Sequence, residues 1–344
     1  MLTLSAPDAI GPAIERTKHL LFRPFRWGTF LKLCLVAVVT EGFSSNFSSG
    51  SHSSSHSTST TTSSLLPFDI SPVVIAAGVA AILLVLIISL ALFYLITRLR
   101  FALFECLVQQ STLIRPGWHR YREQASRFFW LNVWVGVVFL VIVALIAMPF
   151  AAGFLQLVRS STPGHFDLGL LLSLLLPLIP IIFLIILVAL ATDLILRDFM
   201  LPHFALENAT AGQAWAAVRT RISAEKGAFF LYAILRIFLP IVAMIGIFIA
   251  LIIPSLIVIG IAAGIVAGLH AALSGAAGTA TTIVVGILVG CLVAAYFIFA
   301  ILCFGGPLGL TIRNYSLVFY GGRYPVLGNT LYPPAPQATF GATP

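Results

Sequence analysis

The residues best placed to do chemistry in this chain are two ionisable groups inside long apolar runs, Asp193 and Arg236. A charge within a bilayer core is costly, so such groups pair, line a polar path or mark a functional cavity. Asp193 falls near the end of the run 168–196, and Arg236 lies over two turns into the run 228–253. Similar depth on adjacent helices would let them form an intramembrane ion pair. The alternative is that Arg236 snorkels back to the headgroups while Asp193 already sits at the interface.

Other reactive residue types occur without partners. His52 and His56 have the spacing of metal ligands on a helix, but they lie in a Ser/Thr stretch with no Cys, Asp or Glu nearby and read as solvated loop residues. His165 with Asp167, and His203 after Pro202, have no nucleophile beside them. Cys34, Cys291 and Cys303 lie in apolar runs and Cys106 just beyond one, without C-x-x-C spacing, so neither disulfide nor zinc is expected. Signatures of phosphate-binding loops, serine hydrolases and zinc peptidases are absent from the sequence. The reading is therefore non-enzymatic, with no catalytic residue, cofactor or metal site. Pro177, Pro180, Pro240 and Pro254 could break helices as transporters do, but prolines in such spans mostly only kink them.

The elements that must carry these groups follow from hydropathy. Of 344 residues 60% are hydrophobic and only 9% charged, and the mean hydropathy is +1.07. That is more apolar surface than one soluble core hides, and unbroken apolar runs point to spanning helices, not barrel strands. The expected class is an all-α integral membrane protein. A crossing needs about 20 apolar residues, which assigns six transmembrane helices at about 24–42, 73–96, 128–152, 168–196, 228–253 and 281–305. The first is short, with Pro24 in its opening turn and Arg26 and Lys32 able to snorkel. Residues 1–332 read as a single membrane domain. The Ser/Thr/His-rich stretch 44–64 reads as a disordered extracytoplasmic loop, and 333–344 as a disordered tail.

The cations decide orientation. Arg16, Lys18, Arg23, Arg26 and Lys32 precede or open the first run; Arg98, Arg100, Arg115, Arg120, Arg122 and Arg127 follow the second; Arg197, Arg219, Arg221 and Lys226 follow the fourth; Arg313 and Arg323 follow the last. The opposite connections carry only Arg159. Such residues stay on the cytoplasmic side, which places both termini there. A net charge of +8 distributed this way speaks for membrane orientation and against nucleic acid as a partner.

Three of the clusters share one spacing: Arg16, Lys18, Arg23; Arg120, Arg122, Arg127; and Arg219, Arg221, Lys226. Each is followed by aromatic residues opening a span. The pattern suggests three repeats of an in-plane amphipathic helix plus a transmembrane hairpin. In the first, Asp8 is expected to cap a helix whose inner face carries Ile10, Ile14, Thr17 and Leu21; in the third, Ala214, Val218 and Ile222 make the stripe. The third copy is longer by the apolar segment 254–272, expected to be an extra membrane-embedded half-helix or extracytoplasmic cap. Its Gly260, Gly264 and Gly268 form a close-packing ladder, with Gly286 and Gly290 as the matching face on the last span.

The stretches RDFMLPHFALENATAGQAWAAVRTRISAEKGAFFLYAILRIFL at 197–239 and RNYSLVFYGGRYP at 313–325 resemble a prokaryotic membrane family known only as a domain of unknown function. The layout is similar to the membrane-anchor domain attached to some bacterial glycerophosphodiester phosphodiesterases. The resemblance implies a bacterial inner-membrane protein and transfers no catalytic residue, since no phosphodiesterase domain is present. The expected role is a scaffold or accessory component. Its partners would be the lipid bilayer, with anionic lipid on the basic in-plane helices, and an unidentified protein. The alternative is a small-molecule or lipid transporter with a site between the fourth and fifth spans near Asp193 and Arg236.

Overall fold

A computed structural model describes residues 4–23, 25–48, 72–160, 168–273 and 275–332, and all secondary structure among them is helical. In chain order the elements are α1 (Ile10–Phe22), α2 (Trp27–Ser48), α3 (Pro72–Gln109), α4 (Ile114–Arg120), α5 (Arg122–Ser160) and α6 (Leu168–Leu194). A π-helical turn (Ile195–Met200) follows, then α7 (Leu201–Leu206), α8 (Ala211–Ala224), α9 (Lys226–Ala272), α10 (Ala276–Gly321) and α11 (Pro325–Leu331).

Five helical segments are long and apolar enough to cross a membrane: Ala76–Gln109, Arg122–Gly153, Leu175–Leu206, Lys226–Ala272 and Gly278–Gly321. Their apolar midsections are almost wholly uncovered by protein, presenting Leu, Ile, Val and Phe outward. That is the arrangement lipid demands, since the hydrocarbon removes any drive to bury these side chains against one another. The long helices overrun the expected spans 73–96, 128–152, 228–253 and 281–305.

Segment 254–272 is not a separate half-helix or cap. It continues α9 without a break, through Pro240 and Pro254. A proline removes one backbone hydrogen bond, but leaving the helix in an apolar setting would orphan several more. At 1.5 Å per residue, α9 is about 70 Å long, against a hydrocarbon core of about 30 Å.

The buried hydrophobic residues fall within 6–37, 96–128, 196–232 and 300–331. These are the short helices and the adjoining ends of the long ones, so the packed core lies at one end of the molecule, here called the base. The lower half of α10 runs through its centre, flanked by α1, α2, α9 and α11, and Leu310, Tyr315, Phe319 and Tyr320 on it are fully buried. Tyr232 of α9 stacks on Phe319 at 4.4 Å and on Tyr315 at 5.1 Å between ring centroids. Aromatic pairs of this kind contribute beyond the area they bury.

Small residues make their close approach at the base and not on the predicted ladder. A Cβ added at Gly260, Gly264, Gly268, Gly286 or Gly290 would meet no atom within 4 Å, so α9 and α10 do not pack through these positions. One added at Gly306 would lie 2.6 Å from Cα of Cys34, and one at Gly309 would lie 3.6 Å from Cβ of Ala37. The backbones of α2 and α10 therefore touch where they cross, which only glycine permits.

The short helices follow the sequence unevenly. α8 begins with a full capping box, Thr210 accepting from the Gln213 backbone and Gln213 accepting from the Thr210 backbone. It buries Ala214 and Val218 as expected, with Ile222 packed at the edge. α1 buries Ala13, Thr17, Leu20 and Leu21, whereas Ile14 is 51% exposed. Asp8 does not cap α1; its carboxylate accepts from the Ser5 hydroxyl, and Ala9 at the helix start makes no side-chain cap. α4 is a single short helix that breaks at Tyr121. Residues 44–48, assigned above to the loop, are the end of α2. The rest of that loop, with His52 and His56, the pair His165 and Asp167, and the tail 333–344 lie outside the described residues.

Candidate functional site

At the heart of the base, five segments bring charged side chains together. α2 supplies Glu41, α3 Arg100, the π turn Arg197 and Asp198, α9 Tyr232 and Arg236, and α10 Arg313. The π turn is what allows neighbouring Arg197 and Asp198 both to be buried: Leu196 to Met200 are enclosed on every side, a position an outer helix seldom reaches.

Asp198 is the anchor. Its carboxylate accepts from Arg313 Nη1 at 2.8 Å, from Arg236 Nε at 3.0 Å and from the Tyr232 hydroxyl at 2.9 Å. Glu41 pairs with Arg197 and, at 3.5 Å, with Arg236. Charge-assisted bonds at these lengths are the strong kind, and several of them satisfy the lone pairs of one carboxylate. The acid on Arg236 is thus Asp198, five residues beyond the one that sequence reasoning selected, and Glu41 joins it. Asp193 lies at the rim, its side chain 52% exposed and 3.9 Å from Arg197.

Arg100 is 6% exposed and, among the described residues, donates to the Thr40 carbonyl at 3.4 Å. Its Nε is buried without an acceptor, as is the Nε of Arg197.

Two further polar clusters flank this centre. Glu105 accepts from the Tyr121 hydroxyl and from Arg120 at 3.1 Å; burial and the Glu105 carboxylate push the Tyr121 phenol well above its ordinary value. Gly117 makes room for this contact, since a Cβ there would lie 3.1 Å from Cα of Ala102. On the other side, buried His203 shares Nδ1 with Glu207 at 3.0 Å and Nε2 with the Tyr320 hydroxyl at 2.8 Å. Arg221 lies 4.9 Å over the Tyr324 ring. Desolvation raises the Glu207 carboxyl, but its hydrogen bond to His203 and the Arg221 charge outweigh this and hold it below the ordinary glutamate range. Among the described residues His203 and Glu207 face the Tyr320 and Tyr324 phenols and Arg221, and the cluster reads as a brace joining α7, α8 and α10.

Sequence reasoning missed Glu41, Asp198 and Arg313. A signal was available in the adjacent Arg197 and Asp198, opposite charges at the end of an apolar run, where a solvated loop would be the cheaper home for either. Arg313 looked like an orientation charge in a tail. Its burial follows from Tyr315, Phe319 and Tyr320, which carry α10 well past residue 305 and into the core.

A base of packed amphipathic helices around a charged centre, with long bare apolar helices rising from it, is compatible with a multi-pass helical membrane protein. The chain belongs to the family of unknown function DUF7544, whose family model matches residues 4–329. No curated protein and no solved structure matches it.

Proposed function

We propose that the protein is a non-enzymatic scaffold or accessory component of a bacterial inner membrane, with its base at the cytoplasmic face. The observation that carries this reading is the use made of the buried charges. Asp198 and Glu41 tie α2, the π turn, α9 and α10 to one another, so ionisable groups that would line a transport path serve to join helices. Arg236, the residue placed on such a path above, has both its carboxylate contacts within this lock.

Six crossings and a cytoplasmic base are part of the proposal. Leu4 accepts a hydrogen bond from Arg323 and Thr17 accepts one from Asn314, so the two ends of the described chain meet at the base. Helix α3 is buried only from Ile96 on, after about 36 Å of helix, and on this reading α2 carries the sixth crossing. The three short helices α1, α4 and α8 each precede a long one, which favours the threefold repeat, and their cations would meet the anionic inner leaflet.

A reporter fluorescent only in the periplasm, fused after the tail, is expected to stay dark; fluorescence there overturns the orientation. Affinity purification in mild detergent is expected to recover a stoichiometric protein partner. Its absence, together with solute flux in reconstituted vesicles that Arg236→Gln abolishes, would replace this reading with transport between α6 and α9.

A further inference from the structure

The π turn has two sides. One encloses Arg197 and Asp198 within the base; the other, through Ile195, Leu196 and Met200, forms the floor of a cavity of about 290 Å³. Leu131 and Val135 of α5 make one wall, and Ala211 and Trp215 of α8 the other. Apart from the Trp215 indole, the polar side chain lining it is Thr192, whose hydroxyl already donates to the Val188 carbonyl at 2.8 Å. So apolar a space offers water few partners. Enclosed positions on α5 end at Phe128, and those that follow α6 begin at Leu196. The cavity therefore lies at the boundary between packed base and bare helices, opening beside exposed Trp215, where hydrocarbon reaches it.

Charge says which amphiphile fits. Residues four apart share a helix face, and helical side chains lean toward the N-terminus. Arg127 thus stands one turn on the base side of Leu131, and Arg219 leans back over Trp215. Both are exposed, and neither forms an ion pair among the described residues. Exposed Glu123, a further turn below Arg127, is not paired with it either. Two open cations flank the mouth of an apolar cavity, which complements an anionic headgroup with its chain inside.

We infer that the cavity holds one acyl chain of an anionic phospholipid from the surrounding bilayer, with Arg127 and Arg219 facing the headgroup. At about 290 Å³ it lies at the small end of ligand cavities, roughly 300–1,000 Å³. It has room for a stretch of one chain while the rest of the lipid stays in the membrane. The inference rests on the membrane reading above, but on neither its protein partner nor its orientation.

The test uses the full chain in phosphatidylcholine vesicles carrying trace phosphatidylglycerol or phosphatidylcholine brominated on the acyl chain. Bromine quenches nearby indole fluorescence, and the Trp215 signal is the difference between wild type and Trp215→Phe. Brominated phosphatidylglycerol is expected to quench it saturably at a mole fraction roughly twenty-fold lower than brominated phosphatidylcholine, about fivefold for each cation. Arg127→Gln and Arg219→Gln are each expected to reduce that preference roughly fivefold, while exposed Arg115→Gln on α4 leaves it unchanged. Val135→Phe fills the cavity and is expected to remove the saturable quenching; Ala211→Leu makes the same test from the opposite wall should Val135→Phe not fold. Equal quenching by the two lipids overturns the site, as does a preference that Arg115→Gln lowers as much as Arg127→Gln, the mark of bulk surface charge. Saturable quenching retained in a folded, filled variant also overturns it. Absence of Trp215 quenching by either lipid means that something other than lipid covers the cavity, and it sinks this site alone. Failure to recover a protein partner with the lipid preference intact would count against the scaffold reading and leave this site standing.

Discussion

Replacing Asp198 by Asn tests the charged centre most directly. The amide keeps the shape of the carboxylate and removes its charge. Arg313, whose 2.8 Å bond to Asp198 is its carboxylate contact, is left with an uncompensated guanidinium, and Arg236 keeps only its 3.5 Å contact with Glu41. Removing one partner of an enclosed pair costs about 3–5 kcal/mol, mostly from the charge left behind. Asp193→Asn makes the same chemical change five residues earlier, at a half-exposed carboxylate 3.9 Å from Arg197. Solvent screening limits that loss to about 1 kcal/mol or less. Unfolding of the two variants in one mild detergent, read by tryptophan fluorescence, should therefore show Asp198→Asn strongly destabilised and Asp193→Asn close to wild type. Adding Arg313→Met to Asp198→Leu should recover much of the loss, since an apolar pair avoids the desolvation cost. Equal midpoints for the two asparagine variants, or a double variant no better than Asp198→Leu, would refute the argument that Asp198 anchors the base.

The helix crossing makes a second contrast: Gly306→Val forces a side chain against Cys34 and should cost about 1–3 kcal/mol or more, measured as loss of monodisperse protein on gel filtration. Gly264→Val, with open space around it, should elute as wild type. Acid sensitivity offers a third. Glu207 has a folded pKa below its unfolded value, so its contribution is present above the ordinary glutamate range and fades as pH falls through the lowered value. Glu207→Gln should flatten the decline of the melting temperature across that acid window, and an unchanged slope would place the loss elsewhere.

Class and coarse architecture were legible because hydropathy is a property of the residues themselves. Runs of apolar side chains cannot be hidden in one core, and five of them became helices able to cross a membrane. Helix α8 was legible for a similar reason, its stripe of Ala214 and Val218 repeating at the helical period. Where packing competed with pattern, the reading slipped: Ile14 points outward although its spacing suits the inner face, because Ala13 is the residue that fits closely in the base.

Partner choice was decided only in three dimensions. The sequence determined that Arg236 needs an acid, but Asp193 and Asp198 lie on successive turns of the same run. Which one it meets depends on the π turn that rotates Asp198 inward and on Glu41 arriving from α2, far away in the chain. The glycines show the same division. A ladder at 260, 264 and 268 has the spacing for close packing, yet contact also needs a facing backbone. The crossing of α2 over α10 supplies one, at Gly306 and Gly309, and α3 supplies another, to Gly117. Composition and periodicity are summed along the chain and so survive in the sequence, whereas ion pairs and crossings are set by a few ångströms between segments that only folding brings together.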